Sequence, residues 1–342
     1  MPPSRATPRA AADYIPVHLR PFVFHSQDDF YVSRHFDPLL LSHLMYAGFL
    51  PIASDVRETC FLLPKLHKQR CVLLFQPELP EHVPKSMVKK AKKYKFVLNR
   101  NFHAVVAGCH EKHGIPWLYP PLVKSFETLF DAGEHRVESC PGPNVRLVTV
   151  EIYDVATETL VAGELGYTVG SVYTSLTGFS RANGAGTVQL HALSKFLYLA
   201  GFKMWDLGMS MDYKMSLGAK DVERDDFLDE LYKWRDQQVE MTLDESREEG
   251  DVRVGVVVKT LFDISRPRTE TMDEWSKKGT HALRDQNLVE AVASGEKDKS
   301  DDDRSRARGK EDAMHVKREV YGEKRKAASD DGQRGEEKRG KM

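Results

Sequence analysis

Two stretches of this chain carry residue types that could do chemistry. The first is Arg181-Ala-Asn-Gly184-Ala-Gly186, a guanidinium and two glycines ahead of an apolar run with helical spacing. Glycines let a backbone approach a ligand closely and take positive φ. A helix start offers unpaired N–H groups and a partial positive charge, which suit an anion. Arg181 could add a two-point phosphate contact. A tight turn that merely opens a helix has the same spacing, and the residues alone leave both readings open. The second is Asp206, in the short apolar segment 202–208. At the end of a strand it could orient an amine or accept its proton. A carboxylate bonded to backbone N–H groups is the plain alternative. Glu164 lies on the strand before Tyr173-Thr-Ser175. It could reach the same cleft from across the sheet, or sit on a solvated strand face.

Other polar clusters are less pointed. Lys85, Lys89, Lys90, Lys92, Lys93 and Lys95 form a dense basic stretch. Such a patch suits a phosphate backbone and gives salt-dependent, sequence-tolerant binding; it also suits a solvated helix face. His103, His110 and His113 lie close in sequence, but no acid or cysteine completes a metal-ligand spacing, so no metal is expected. Cys60, Cys71, Cys109 and Cys140 form no C-x-x-C pair and read as reduced thiols.

These groups must be held by recognisable elements. The run 37–51 reads as a helix with Leu40, Leu41, Leu44 and Met45 on one face and Gly48 and Pro51 at its end. Residues 71–76 read as a buried strand, and 82–95 as a helix with a lysine face. A helix follows over 99–114, with Asn99 or Asn101 as N-cap. Another covers 120–133, with Leu122, Phe126 and Leu129 inward and Gly133 as its stop. The period then changes to two. Three alternating segments between 145 and 180 read as an antiparallel meander. The helix after Gly186 and the strand at Asp206 then suggest a crossover between parallel neighbours. The expected architecture is an α/β sheet, antiparallel first and parallel later, covered by helices.

The flanks differ in composition. The chain has 342 residues, 41% hydrophobic and 30% charged, with a net charge of -1, which suits a globular protein with a charged appendage. Residues 1–20 read as a flexible arm. Residues 266–342 hold dense charge of both signs and few apolar groups, and read as disordered. No apolar run is long enough to span a bilayer.

The motifs 39–51, 82–87, 97–118, 135–138, 160–181, 203–209 and 216–228 come in the order and near-spacing of the leucyl/phenylalanyl-tRNA–protein transferases, which the chain resembles from about residue 28 to 234. The sharpest pieces are Trp117, Gly170, Phe179-Ser-Arg181, Asp206 and Ser216-Leu-Gly-Ala219. The resemblance implies an acetyltransferase-like (GNAT-type) mixed sheet with flanking helices: a smaller N-terminal domain over 21–98 and a catalytic domain over 99–265. It implies transfer of an amino acid from aminoacyl-tRNA to an acceptor protein with a basic N-terminal residue. It further implies a cytoplasmic monomer of the N-end rule, with no cofactor and no membrane. On this likeness Asp206 and Glu164 are the catalytic candidates. Trp117, which could stack on the terminal adenine of tRNA, joins Leu176, Phe179, Leu193 and Leu197 in binding substrate. Arg181, Gly184 and Gly186 form the nucleotide loop, and Lys85, Lys89, Lys90, Lys92 and Lys93 meet the tRNA backbone.

The chain also departs from that pattern. Leu176 replaces the pocket glutamate, Gly208 a glutamine, Ile52 a tryptophan, and Glu164 a methionine of the amino-acid pocket. Gly184-Ala-Gly-Thr187 replaces N-A-S-K. An altered specificity is therefore expected. An acyl-CoA-dependent N-acyltransferase, or a catalytically weak tRNA- or N-terminus-binding homologue, are the alternatives.

Overall fold

The computed structural model describes residues 31–75, 83–115, 117–135, 145–239, 241, 248–249, 252–253 and 255–263. The expected arm at 1–20 and tail at 266–342 lie outside them, as does Cys140.

Helix α1 (Pro38–Tyr46) starts where the Asp37 carboxylate accepts the N–H groups of Leu39 and Leu40. It ends at Gly48, whose φ is +98°. A hairpin follows, β1 (Leu50–Val56) and β2 (Thr59–Lys65). Then come β3 (Gln69–Leu74), α2 (Lys85–Ala91) and β4 (Tyr94–Leu98). The lysine helix is thus shorter than expected. The chain becomes a strand at Tyr94 because Tyr94, Phe96 and Leu98 are buried together in one core cluster. Burial of two rings outweighs the helical preference of the lysines before them.

Helix α3 (Phe102–His113) takes Asn101 as its N-cap, its side chain accepting the Ala104 N–H. Asn99 instead turns the chain at φ +56° and accepts the Thr149 N–H. Then follow α4 (Pro120–Asp131), β5 (Glu134–His135), β6 (Val145–Asp154), β7 (Leu160–Val169) and β8 (Val172–Ser180). The rest is α5 (Ala185–Ala200), β9 (Met204–Asp206), α6 (Asp212–Met215), β10 (Lys220–Glu223), α7 (Arg224–Trp234), β11 (Glu248–Glu249), β12 (Val252–Arg253), β13 (Val256–Val257) and α8 (Val258–Asp263).

The main sheet has the order β10-β3-β9-β8-β7-β6-β4-β13, with β5 pairing the end of β6. Every pair is antiparallel except β8 with β9. The meander and the crossover through α5 are therefore as the sequence reads, but the parallel part is this single pair. Alternation along β6 sends Leu147 to one face and Val148, Val150 and Ile152 to the other. Residues of α1, α3, α4 and α7 cover the first face, and α5 with α8 covers the second. The result is a mixed α/β fold with a core on each side of the sheet.

Gly170 makes the turn between β7 and β8. Its φ is +56°, and a Cβ there would stand 2.2 Å from the Arg235 carbonyl oxygen. Only glycine fits without displacing the end of α7. That turn sets the register of the strands that carry Glu164 and Ser175.

Candidate active site

The neighbouring strands β8 and β9 pair only over Val172–Thr174 and Met204–Asp206. Beyond Thr174 they part. On the other edge of β8, Ser175 pairs with Gly166 and Thr177 with Leu165, so Leu176 is the extra residue of a bulge. Bulges re-aim side chains and are frequent beside active sites. A cavity of about 360 Å³ opens at this place, lined by residues 175–180 of β8, by Gly186, Gln189 and Leu190 of α5, by Leu207, Tyr213 and Lys214 beyond β9, and by Glu164.

Glu164 forms part of the wall and is only 5% exposed. Its Oε1 accepts the Ser175 hydroxyl at 2.5 Å and the Tyr173 hydroxyl at 3.0 Å. Its Oε2 accepts the Gln189 amide at 3.3 Å. Ser175 is itself fixed, because its Oγ accepts the Trp205 indole N–H at 2.9 Å. The cross-strand reading of Glu164 therefore holds, and the solvated-face reading does not. Burial pushes the Glu164 carboxyl above its ordinary value of 4.5, against the opposing pull of these donors and of Lys214. The Lys214 ammonium, 8% exposed, donates to the carbonyls of Leu207 and Met209 at 2.6 Å each. Burial lowers its pKa.

The raised carboxyl has a measurable consequence. The folded chain holds the Glu164 proton to higher pH than the unfolded chain does. Its contribution to stability is then complete below pH 4.5 and declines as pH rises through the window above it. Glu164→Gln is expected to remove this decline, so the melting midpoints of variant and parent should diverge in the variant's favour as pH rises. Parallel midpoint profiles would contradict it. Asp236, also raised by burial, titrates in both proteins and cancels in the comparison.

Asp206 is placed differently from the expectation. It is fully buried, paired with Arg70 through Oδ2–Nη2 at 2.5 Å and Oδ1–Nε at 3.1 Å. Oδ2 also accepts the Thr174 hydroxyl at 3.2 Å, and Oδ1 the Gly208 N–H at 2.9 Å. Four donors occupy the carboxylate, and it does not line the cavity. It anchors β9 to β8 and β3 rather than facing an acceptor amine. Arg70 is 1% exposed, stacks 4.4 Å from the Phe227 ring centroid and donates to the Gly48 carbonyl.

The remaining candidates divide. Leu176 and Phe179 line the cavity. Phe179 is seated in a notch, since a Cβ on Gly108 or Gly163 would meet its ring at 2.5 and 2.7 Å. Leu193 and Leu197 are fully buried in the core beneath α5 and do not line the cavity. Trp117 packs half-buried against the core below the other face of the sheet, and its carbonyl accepts the Ala53 N–H. Arg181 is engaged by Glu111 through Nε at 3.0 Å and Nη2 at 2.6 Å. The Gly186 N–H goes to Ser180 Oγ at 3.1 Å. Both loop donors thus have protein partners. Gly184, at φ +79°, caps α5, and a Cβ there would stand 2.6 Å from Lys90 Nζ, so the lysine helix abuts the loop. Lys85, Lys89, Lys90, Lys92 and Lys93 are exposed, while Lys95 pairs with Glu158. The three histidines go separate ways: His103 to Glu127, His110 to the Leu118 carbonyl, His113 to the Gly178 carbonyl.

Sequence reasoning missed Gln189, Ser175 and Lys214. A signal for Gln189 was present. It precedes Leu193 and Leu197 at spacings of four, so one polar residue interrupts an apolar helix face.

Fold and site together define a mixed α/β protein with a cavity that opens where two parallel strands part. A family model for leucyl/phenylalanyl-tRNA protein transferase matches residues 74–232, which include every residue of that cavity. The chain is 28% identical over 205 residues to the leucyl/phenylalanyl-tRNA–protein transferase of Pseudomonas paraeruginosa, covering 56% of this chain and 84% of that protein. It is 29% identical over 162 residues to that of Shewanella halifaxensis, covering 46% and 63%. The match to that of Pectobacterium carotovorum is 29% over 171 residues, covering 49% and 66%. Over residues 74–232 the chain is therefore similar to the leucyl/phenylalanyl-tRNA–protein transferases, at 28–29% identity to these relatives.

Proposed function

We propose that the protein moves an amino acid from charged tRNA to the N-terminal amine of an acceptor protein. The observation that carries this is the cavity at the parted strands: it lies inside the matched region and next to five exposed lysines, three on α2 and two in the turn after it. The cavity would take the amino-acid side chain, and the lysine face the phosphates behind it. The ester is already activated, so the chain's main task is positioning. The acceptor amine attacks the ester carbonyl, a C–N bond forms, the C–O bond to the ribose breaks, and the amine's proton ends on the freed ribose hydroxyl. Asp206 acts here as a positioning residue through Arg70, and Glu164 stands in the wall of the cavity. The acyl-CoA alternative loses its main support, because Arg181 and the Gly186 N–H are engaged within the protein.

The finer reading follows the same likeness. It comprises a GNAT-type fold, a smaller domain over 21–98 beside a catalytic one over 99–265, a monomer, an acceptor with a basic N-terminal residue, and a cytoplasmic site where charged tRNA is available. No described helix is long and apolar enough to cross a membrane. The test is transfer of labelled amino acids from a mixed charged-tRNA pool onto peptides with varied N-termini. Labelled peptide is expected. No label from any charged tRNA, with the protein folded, would leave only a binding role.

A further inference from the structure

We propose that the cavity reads a cationic side chain, so that the amino acid transferred carries an ammonium or a guanidinium. This rests on the transferase reading and deepens it.

The polar wall of the cavity has acceptors to spare. A carboxylate offers about four lone-pair sites, and Glu164 receives three donors, from Ser175, Tyr173 and Gln189. Gln189 is 4% exposed and lines the cavity, yet its Oε1 has no hydrogen-bond partner among the described residues. Its amide nitrogen bonds to Glu164, which puts the carboxylate and the unpartnered oxygen side by side. Two neighbouring acceptors, one of them charged, match the parallel N–H groups of a guanidinium or the rotating donors of an ammonium. An apolar side chain would bury both acceptors unpaired, which is unfavourable.

The other walls suit the rest of such a ligand. Leu176, Phe179, Leu190 and Leu207 offer apolar surface for a methylene stem. The cavity's own cations, Lys214 and Lys112, make no hydrogen bond to Glu164 or to the Gln189 oxygen among the described residues, and Lys214 acts on Glu164 through its charge alone. Two of the three Lys214 donors go to backbone carbonyls, and Lys112 is exposed. Glu164 stands where the family resemblance places a methionine of the amino-acid pocket. The sequence change therefore falls on the surface that would meet the transferred side chain, not the acceptor. Burial raises the Glu164 carboxyl, and an arriving cation would offset that burial.

The test pairs binding with transfer. Non-hydrolysable 3′-aminoacyl-adenosine amides carrying Arg, Lys, Leu or Phe are titrated against the full-length protein. Single charged tRNAs are then tried with peptides of basic, acidic and neutral N-termini. The Arg or Lys amide is expected to bind about 10–100-fold tighter than the Leu or Phe amide. The comparison of the two cationic amides names the source. Glu164→Gln should erase most of that preference, and Glu164→Met should turn it toward Leu. Equal or tighter binding of the Leu or Phe amide overturns the proposal, as does a cationic preference shown only for the acceptor peptide. Either result leaves the transferase reading standing if label is transferred. If no charged tRNA donates, that reading fails, and the amide titration still decides what the cavity prefers.

Discussion

Asp206→Ala is expected to destabilise the protein by about 3–5 kcal/mol, because it strands the Arg70 guanidinium in the core. Both groups are essentially inaccessible, and the second Arg70 contact, the Gly48 carbonyl at 3.3 Å, carries no compensating charge. Burial alone would lower the Arg70 pKa; Asp206 outweighs it and holds it above the ordinary value. For a folded region of this size the midpoint should fall by about 10 °C. Arg70→Met should cost a similar amount from the other side. Joining the two as Arg70→Met with Asp206→Leu should restore most of the loss, since an apolar pair of similar volume often substitutes well for a buried ion pair. The double variant also separates anchor from reagent. If it folds and still transfers, Asp206 only holds β9 in place. If it folds and is inactive while the donor still binds, the carboxylate takes part in the reaction. A stable single variant would overturn the anchoring role.

The strands and helices that frame the site were legible because their periods are clean. The 145–180 meander alternates over most of its length, and the Asn101 cap and Gly133 stop mark their helices. The β1–β2 hairpin was not legible. Its two-residue turn is built from Arg57 and Glu58, both at positive φ, where Asn or Gly normally signals such a turn. The pairing of β3 with β9 and β10 was hidden too, since it joins residues at least 130 positions apart.

Within the site, residue types pointed to the right elements but not to the right roles. Asp206 was the conspicuous acid at a strand end, and nothing near it in sequence announces Arg70 as its partner. Glu164 read as one polar residue on an alternating strand. Only the register of β7 on β8, with its bulge at Leu176, turns Glu164 and Ser175 toward one cavity. Arg181 looked free to hold a phosphate because Glu111 lies 70 positions away.

Replacing Lys89, Lys90, Lys92 and Lys93 together with Gln should weaken tRNA binding on the order of 10²-fold near ~0.1 M salt and reduce the log–log salt slope by about 3, at ~0.7–0.9 for each phosphate that is no longer neutralised. The four side chains are exposed and take no ion-pair partner among the described residues, so stability should move by less than about 0.5 kcal/mol. Their neighbourhood gives the expectation its direction. Lys90 Nζ stands beside Gly184, where α5 begins. An ammonium and a helix N-terminus carry the same sign, and an anion between them would relieve that repulsion. Lys90→Gln alone should therefore cost more affinity than Lys89→Gln or Lys93→Gln, and the excess should vanish with a short aminoacyl-adenosine lacking the phosphodiester chain. An unchanged slope in the fourfold variant would remove this face from the RNA surface. Equal effects for all single lysines would keep it there as a diffuse electrostatic field, with no fixed phosphate at the loop.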